Sequence, residues 1–160
     1  MNILGIDPGL GNTGYGIISS NAQKVNLVDY GVIKTSTKDS LAKRLKIIFD
    51  KISNLIEIHE PSVFSIEEIF YSNNIKSSLL LGHARGVAIA AASIQDLVVY
   101  EYSARKIKQS LTGNGNAHKD QVRFMVKNLL KLSIAPKSND ASDALGIALC
   151  YTFQNKLEYL

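Results

Sequence analysis

Three short stretches hold acids where apolar residues would be expected. Asp7 closes "NILGID", Glu67 and Glu68 interrupt "SIEEIF", and Asp140 and Asp143 stand three apart in "NDASDALGIALC". A carboxylate at the end of an apolar strand is costly to bury unless it is paired or bound to a cation. Asp7 precedes Pro8 and would also serve as a turn former. Neighbours on a strand point to opposite faces, so only one of Glu67 and Glu68 can join a given site, and alternation does not say which. Asp140 and Asp143 share a face at the start of an apolar helix, whose N-terminus offsets their charge. An N-cap with a first-turn acid would give the same pattern. Together, Asp7, one glutamate, Asp140 and Asp143 would make an all-oxygen cluster suited to Mg²⁺ or Mn²⁺. Two such ions can activate a water and stabilise the departing oxygen of a phosphodiester. The histidines, His59, His83 and His118, lack metal-ligand spacing and read as surface or structural residues.

The basic residues are unevenly placed. From Arg105 to Lys137 there are eight Lys or Arg against one acid, Asp120; the rest of the chain has ten basic residues against thirteen acids. Such a field attracts phosphate. On the predicted helix after "GNGN", Lys119, Arg123, Lys127 and Lys131 recur every four residues, opposite a core stripe of Val122, Val126 and Leu129. A solvated helix face would look the same. With Arg105, Lys106 and Lys108 nearby, a nucleic-acid backbone is the expected partner, bound in a salt-dependent way. Phe70 and Tyr71 follow the glutamates into a polar loop, where a ring could stack on a base or pack in the core.

Gly9, Gly11 and Gly14 have the G-x-G-x-x-G spacing of a dinucleotide-binding turn. That motif requires the glycines to open a helix. Here "TGYGIISS" is better strand than helix material, and Asp7 would repel a pyrophosphate. The glycines are therefore read as a hairpin that needs positive φ.

The elements that must position these residues follow from periodicity. "NILGID", "TGYGIISS" and "VNLVDYGVIKT" read as strands, with a hairpin at Asn21. Asp39 or Ser40 caps a helix carrying Leu41, Leu45, Ile48, Ile52 and Leu55. "SVFSIEEIF" is a fourth strand, "IKSSLLLGHARGVAIAAASI" a long helix and "DLVVYEY" a fifth strand. Helices follow over about residues 103–111, 118–132 and 140–153. The expected fold is α/β, a mixed sheet of five strands in which a meander is joined to parallel strands by helical crossovers.

At 160 residues, 46% hydrophobic and 20% charged, the chain is expected to form one domain over residues 1–160. Its first residues do not read as a signal sequence, and no charge-free run is long enough to cross a bilayer. A cytoplasmic protein that keeps clear of membranes is expected. Cys150 is the single cysteine, which excludes an intrachain disulfide and paired-thiol zinc; it reads as a core residue.

"GIDPGLGNTGYGII", "SIEEIF", "LGHARGVAIAA", "EYSARKIKQSLTGNGNAHKDQV" and "NDASDALGIALC" occur in order across nearly the whole chain. Together they resemble the RuvC-type Holliday junction resolvases. The resemblance implies a ribonuclease H-like fold, a homodimer, and Mg²⁺-dependent paired nicking of four-way junction DNA in recombination and repair. It places the four catalytic, metal-holding acids at Asp7, Glu67, Asp140 and Asp143, with two ions per subunit and Mn²⁺ able to substitute. It assigns base stacking to Phe70 and DNA contacts to Lys108 and Lys119, beside which Arg123 and Lys127 extend the basic face. It suggests that Gly82, Gly86 and Ala90 form a dimer helix, although packing on the sheet would use the same small residues. A branch-migration motor is the further partner it implies. Asp120 puts a negative charge beside Lys119. No basic tail follows the last helix, so weaker DNA affinity than in tailed members is expected.

Two other classes remain open at this point. An actin-like or sugar-kinase ATPase also opens with a strand, an Asp and a glycine hairpin, but needs a second lobe. A non-catalytic junction-binding protein would share the basic face without metal dependence.

Overall fold

The computed structural model describes residues 1–21, 23–69 and 74–155. β1 (Asn2–Asp7), β2 (Asn12–Ser20) and β3 (Val25–Lys34) form the antiparallel meander. The Asn21 side chain accepts from the Gln23 and Lys24 amides and closes the hairpin between β2 and β3. β4 (Val63–Glu67) runs parallel to β1, and β5 (Val98–Tyr102) parallel to β4, giving the order β3-β2-β1-β4-β5. β1, β4 and β5 therefore end at the same edge. With Ile6 paired to Ile66, the next residues along, Asp7 and Glu67, lie side by side there.

Period-2 alternation divides the core into two layers. Leu4, Ile6, Phe64 and Ile66 pack with Ile48, Ile52 and Ile56 of α1 (Leu41–His59) and the alanines of α2 (Ile75–Ile94). Ile3 and Val63 face the other layer, where α3 (Ala104–Thr112), α4 (Lys119–Leu129) and α5 (Asn139–Gln154) bury Ile107, Val122, Val126 and Leu145. Cys150 is fully buried in this second core, as its apolar context predicts.

The caps follow local chemistry. Ser40, not Asp39, accepts from the Lys43 amide at the start of α1, while Asp39 pairs with the Lys43 ammonium at 2.7 Å. Ser103 and Ser138 cap α3 and α5.

Three expectations change and one open alternative, sheet packing by Gly82, Gly86 and Ala90, closes. β4 ends at Glu67 rather than continuing to Phe70, and Phe70 and Tyr71 lie outside the described residues. α4 ends at Leu129, and Lys131 takes a left-handed φ of 53°, so Lys131 leaves the helical face shared by Lys119, Arg123 and Lys127. Gly82, Gly86 and Ala90 do not pack on the sheet. The buried stripe of α2 is Ala84, Ala88, Ala91 and Ala92, and a Cβ at Gly82 or Gly86 would meet nothing within 4 Å. α2 also has the length and mean hydropathy of a membrane span, although it carries Lys76 and Arg85 and lays its alanines against the sheet.

The third change concerns the N-terminal glycines. Of the eleven glycines only Gly113 has a positive φ, so Gly9, Gly11 and Gly14 are not there to supply left-handed backbone. Gly14 is fixed by close approach instead: a Cβ would lie 2.0 Å from the Asp140 carbonyl oxygen. Gly5 behaves likewise, its Cβ falling 2.2 Å from the Ala144 carbonyl. These contacts let the first turns of α5 press directly onto β1 and β2.

Candidate active site

The site is built where that contact meets the strand ends. Asp7 is opposite Gly14 in the β1/β2 ladder, and Gly14 lies under Asp140, so the start of α5 is brought to the end of β1. Ser65 donates to the Ile147 carbonyl of α5 at 3.1 Å, which fixes the face of β4 that looks toward this helix. Glu67 is two residues further on, so its side chain shares that face, whereas Glu68 is exposed. The Glu68 amide donates to the Tyr102 carbonyl at 2.9 Å and holds the chain to β5 as it leaves the sheet. Packing thus makes the choice between the glutamates that strand alternation left open.

A cleft of about 180 Å³ opens here, lined by Glu67, Asp143, Lys108, Lys119, Ala104, Ile107, Val122 and Ile147. Its floor is apolar and its polar groups are two acids facing two lysines. α3 supplies Lys108 and α4 supplies Lys119 from its first turn.

The carboxylates act on one another through their charges. Burial, reinforced by Asp143, Glu67 and Asp140, pushes Asp7 up to about 8 against the opposing pull of Lys119. Glu67 is raised by burial and by Asp143, while Lys119 and Lys108 draw it down. Asp143 is raised by burial and Asp140, opposed by Lys119, Arg123 and Lys108. Shifts of this kind gather where a site is arranged for chemistry.

Among the described residues no three His, Cys, Asp or Glu side chains close into a metal-ligand set as they stand. The acids converge without meeting, as like charges in a partly buried site repel. The donor chemistry nonetheless suits a hard divalent cation: carboxylates from two strand ends and one helix, with no thiol or imidazole among them. Burial first, and then Asp143, Glu67 and Asp140, hold the Asp7 carboxyl at about 8, and Lys119 offsets them only in part.

The basic residues separate into distinct groups. Lys108 and Lys119 face the acids; Arg123 lies close enough to Asp143 to lower it and also donates to the Pro136 carbonyl at 3.3 Å. Lys127 continues the α4 face away from the cleft, and Arg105 and Lys106 are exposed on α3. Asp120 is turned to solvent 3.6 Å from the His118 ring. His59 lies 3.3 Å from Asp29 on β3, and His83 is exposed on α2; neither approaches the acids.

Sequence reasoning missed Arg85. Its Nε donates to the Glu67 carbonyl at 2.9 Å and its Nη2 pairs with Glu101 of β5. The signal available was an arginine in the apolar middle of a long helix.

A five-stranded mixed sheet with an acid cluster at the ends of its parallel strands defines the class, the ribonuclease H-like nucleases. Residues 3–151 match the family model described as crossover junction endodeoxyribonuclease RuvC. The RuvC protein of Alkaliphilus metalliredigens is 42% identical over the whole chain and 98% of the relative. That of Pseudoalteromonas atlantica is 51% identical over 96% of this chain and 88% of the relative. The solved Thermus thermophilus RuvC in complex with a Holliday junction substrate superposes with a TM-score of 0.94 at 31% identity, covering 99% of this chain and 97% of that one. The yeast mitochondrial Holliday junction resolvase, 17% identical with a TM-score of 0.69, shares the fold. The chain belongs to the RuvC family of crossover junction endodeoxyribonucleases.

Proposed function

We propose that residues 1–160 form one nuclease domain that resolves four-way DNA junctions by paired hydrolysis of phosphodiesters, with Asp7, Glu67, Asp140 and Asp143 holding divalent metal. The observation that carries this reading is the convergence of the acids at the strand ends, with Asp7 driven to about 8 by burial and by the other three. Mg²⁺, or Mn²⁺ in its place, supplies charge neutralisation and an activated water when bound, and two ions per subunit match the number of carboxylates. Asp7 and Glu67 offer oxygens from adjacent strands, and Asp140 and Asp143 from the first turns of α5. Lys119 and Lys108 stand beside them to take the negative charge that builds on the phosphate in the transition state. Arg123 and Lys127 extend the contact along the DNA backbone. Phe70, outside the described residues, is assigned base stacking from the family resemblance.

The dimer would form on α2. Its open face carries Gly82, Gly86 and Ala90 beside the exposed Ile75, Leu79 and Ile94, a small and apolar surface that a second copy could bury. A two-fold pair presents two equivalent sites to strands of like polarity, which accounts for symmetric nicks. A branch-migration motor is the further partner, and the cytoplasm, away from membranes, the compartment.

The test compares a synthetic four-way junction with its linear duplex, in Mg²⁺ and in EDTA. Symmetric nicks confined to the junction and lost in EDTA are expected. Binding without nicking in any divalent ion would replace this reading with that of a junction-binding module.

A further inference from the structure

We infer that Arg85 is a positioning residue for Glu67, reaching from the opposite layer of the fold to set the carboxylate that the cleft uses. The inference rests on the reading of Glu67 as a metal-holding acid. Glu67 is the last residue of β4 and pairs with Tyr102 at the end of the β4/β5 ladder, beyond which no strand pairing continues. On one side the following peptide is fixed by the bond from the Glu68 amide to the Tyr102 carbonyl, 2.9 Å long. On the other, Arg85 Nε donates to the Glu67 carbonyl at 2.9 Å. The guanidinium is itself held by Glu101, which sits opposite Ile66 in the β4/β5 ladder.

This geometry suits arginine and not lysine. Two donors of one planar fork engage a carbonyl and a carboxylate at once, so the direction of each bond is fixed by the other. An ammonium has no such plane. Arg85 is largely covered, with 17% of its side chain exposed, whereas Glu101 is 47% exposed. Removing the guanidinium would leave the Glu67 carbonyl without this donor and free the peptide that carries the carboxylate. Partners that orient a ligand in this way typically govern metal affinity as strongly as they govern rate.

The experiment measures Mn²⁺ uptake by electron paramagnetic resonance on the DNA-free protein, for wild type, Arg85→Ala, Arg85→Lys and Glu101→Gln. Junction binding in EDTA and thermal unfolding are followed alongside. In Arg85→Ala the half-saturating Mn²⁺ concentration should rise about 10- to 100-fold, with junction binding in EDTA retained. Arg85→Lys should recover little of the loss, and added ethylguanidinium should restore uptake to Arg85→Ala. Glu101→Gln, an exposed and gentler change, should raise the Mn²⁺ requirement less and in the same direction; it carries the test if Arg85→Ala fails to fold. Normal Mn²⁺ affinity in folded Arg85→Ala, or in Glu101→Gln when the alanine variant is unfolded, overturns the positioning role and leaves the site reading intact. A wild-type chain that takes up no Mn²⁺ overturns the site reading and this inference with it.

Discussion

Gly14 of β2 lies against the backbone of Asp140 on α5, so closely that a single Cβ would come within 2.0 Å of the Asp140 carbonyl oxygen. Because Gly14 is the ladder partner of Asp7, this contact sets the distance between an acid on the sheet and an acid on the helix. Gly14 thus serves the acids, and it does so from within β2, where it opens no helix of the kind a dinucleotide-binding turn requires. Gly14→Ala should force β2 and α5 apart, destabilising the fold by about 1 to 3 kcal/mol and weakening cation uptake. Denaturant unfolding and Mn²⁺ titration check both effects; a wild-type midpoint would show that the contact is not tight.

Asp7 links the site to stability. Its folded-state value of about 8 lies above the ordinary value of 3.8, so the folded protein retains a proton that the unfolded chain releases. The resulting stability is fully present below about pH 4 and is lost as pH rises through about 8. Glu67 and Asp143 shift in the same direction. In EDTA, the Asp7 contribution to unfolding free energy should therefore fall across this window, and Asp7→Asn should flatten the fall and stabilise the protein at pH 8 by about 1 to 2 kcal/mol. Chemical denaturation of both proteins at several pH values measures this. An equal pH dependence in the variant would remove Asp7 from the coupled cluster.

Cation uptake should displace the same protons. Affinity for Mg²⁺ should rise with pH up to about 8, and calorimetry in buffers of different ionisation enthalpy should show proton release. Uptake without proton release would mean that the ion binds elsewhere.

Lys119 opposes the upward shifts of Asp7, Glu67 and Asp143. Lys119→Gln should therefore move the rising limb of the pH–rate profile to higher pH, in addition to lowering the plateau. A lower plateau with an unmoved limb would restrict Lys119 to contacts with DNA.

Lys127 is on the same helix but away from the acids. Lys127→Ala should weaken junction binding across sequences, reduce the slope of log affinity against log salt by about 1, and leave the pH profile alone. Binding measured at several salt concentrations decides this, and an unchanged slope would take Lys127 off the DNA path.

Much of this arrangement was legible in the residues. Among the described residues the five strands and five helices follow from short apolar runs, three-to-four spacing and cap residues; β1 and β4 read as nearly continuous apolar runs because both of their faces are covered. Asp7, Asp140 and Asp143 stood out because acids in apolar contexts demand an explanation. What stayed hidden depends on contacts between distant segments. The family resemblance pointed to Glu67 where strand alternation could not, and the physical reason lies in the bond from Ser65 to Ile147; the purpose of Gly14 required α5. Lys131 looked helical by spacing, yet α4 ends two residues before it and the chain turns through a left-handed φ. Arg85 was invisible because its partner is a backbone carbonyl across the sheet, which no side-chain pattern encodes.

The most direct test of the central claim is single-turnover cleavage of a four-way junction by Asp7→Asn in Mg²⁺, with binding measured in the same samples. The acid-cluster mechanism predicts a bound junction that stays intact while the wild type nicks it in symmetric pairs. Nicking by the variant at the wild-type rate would contradict it.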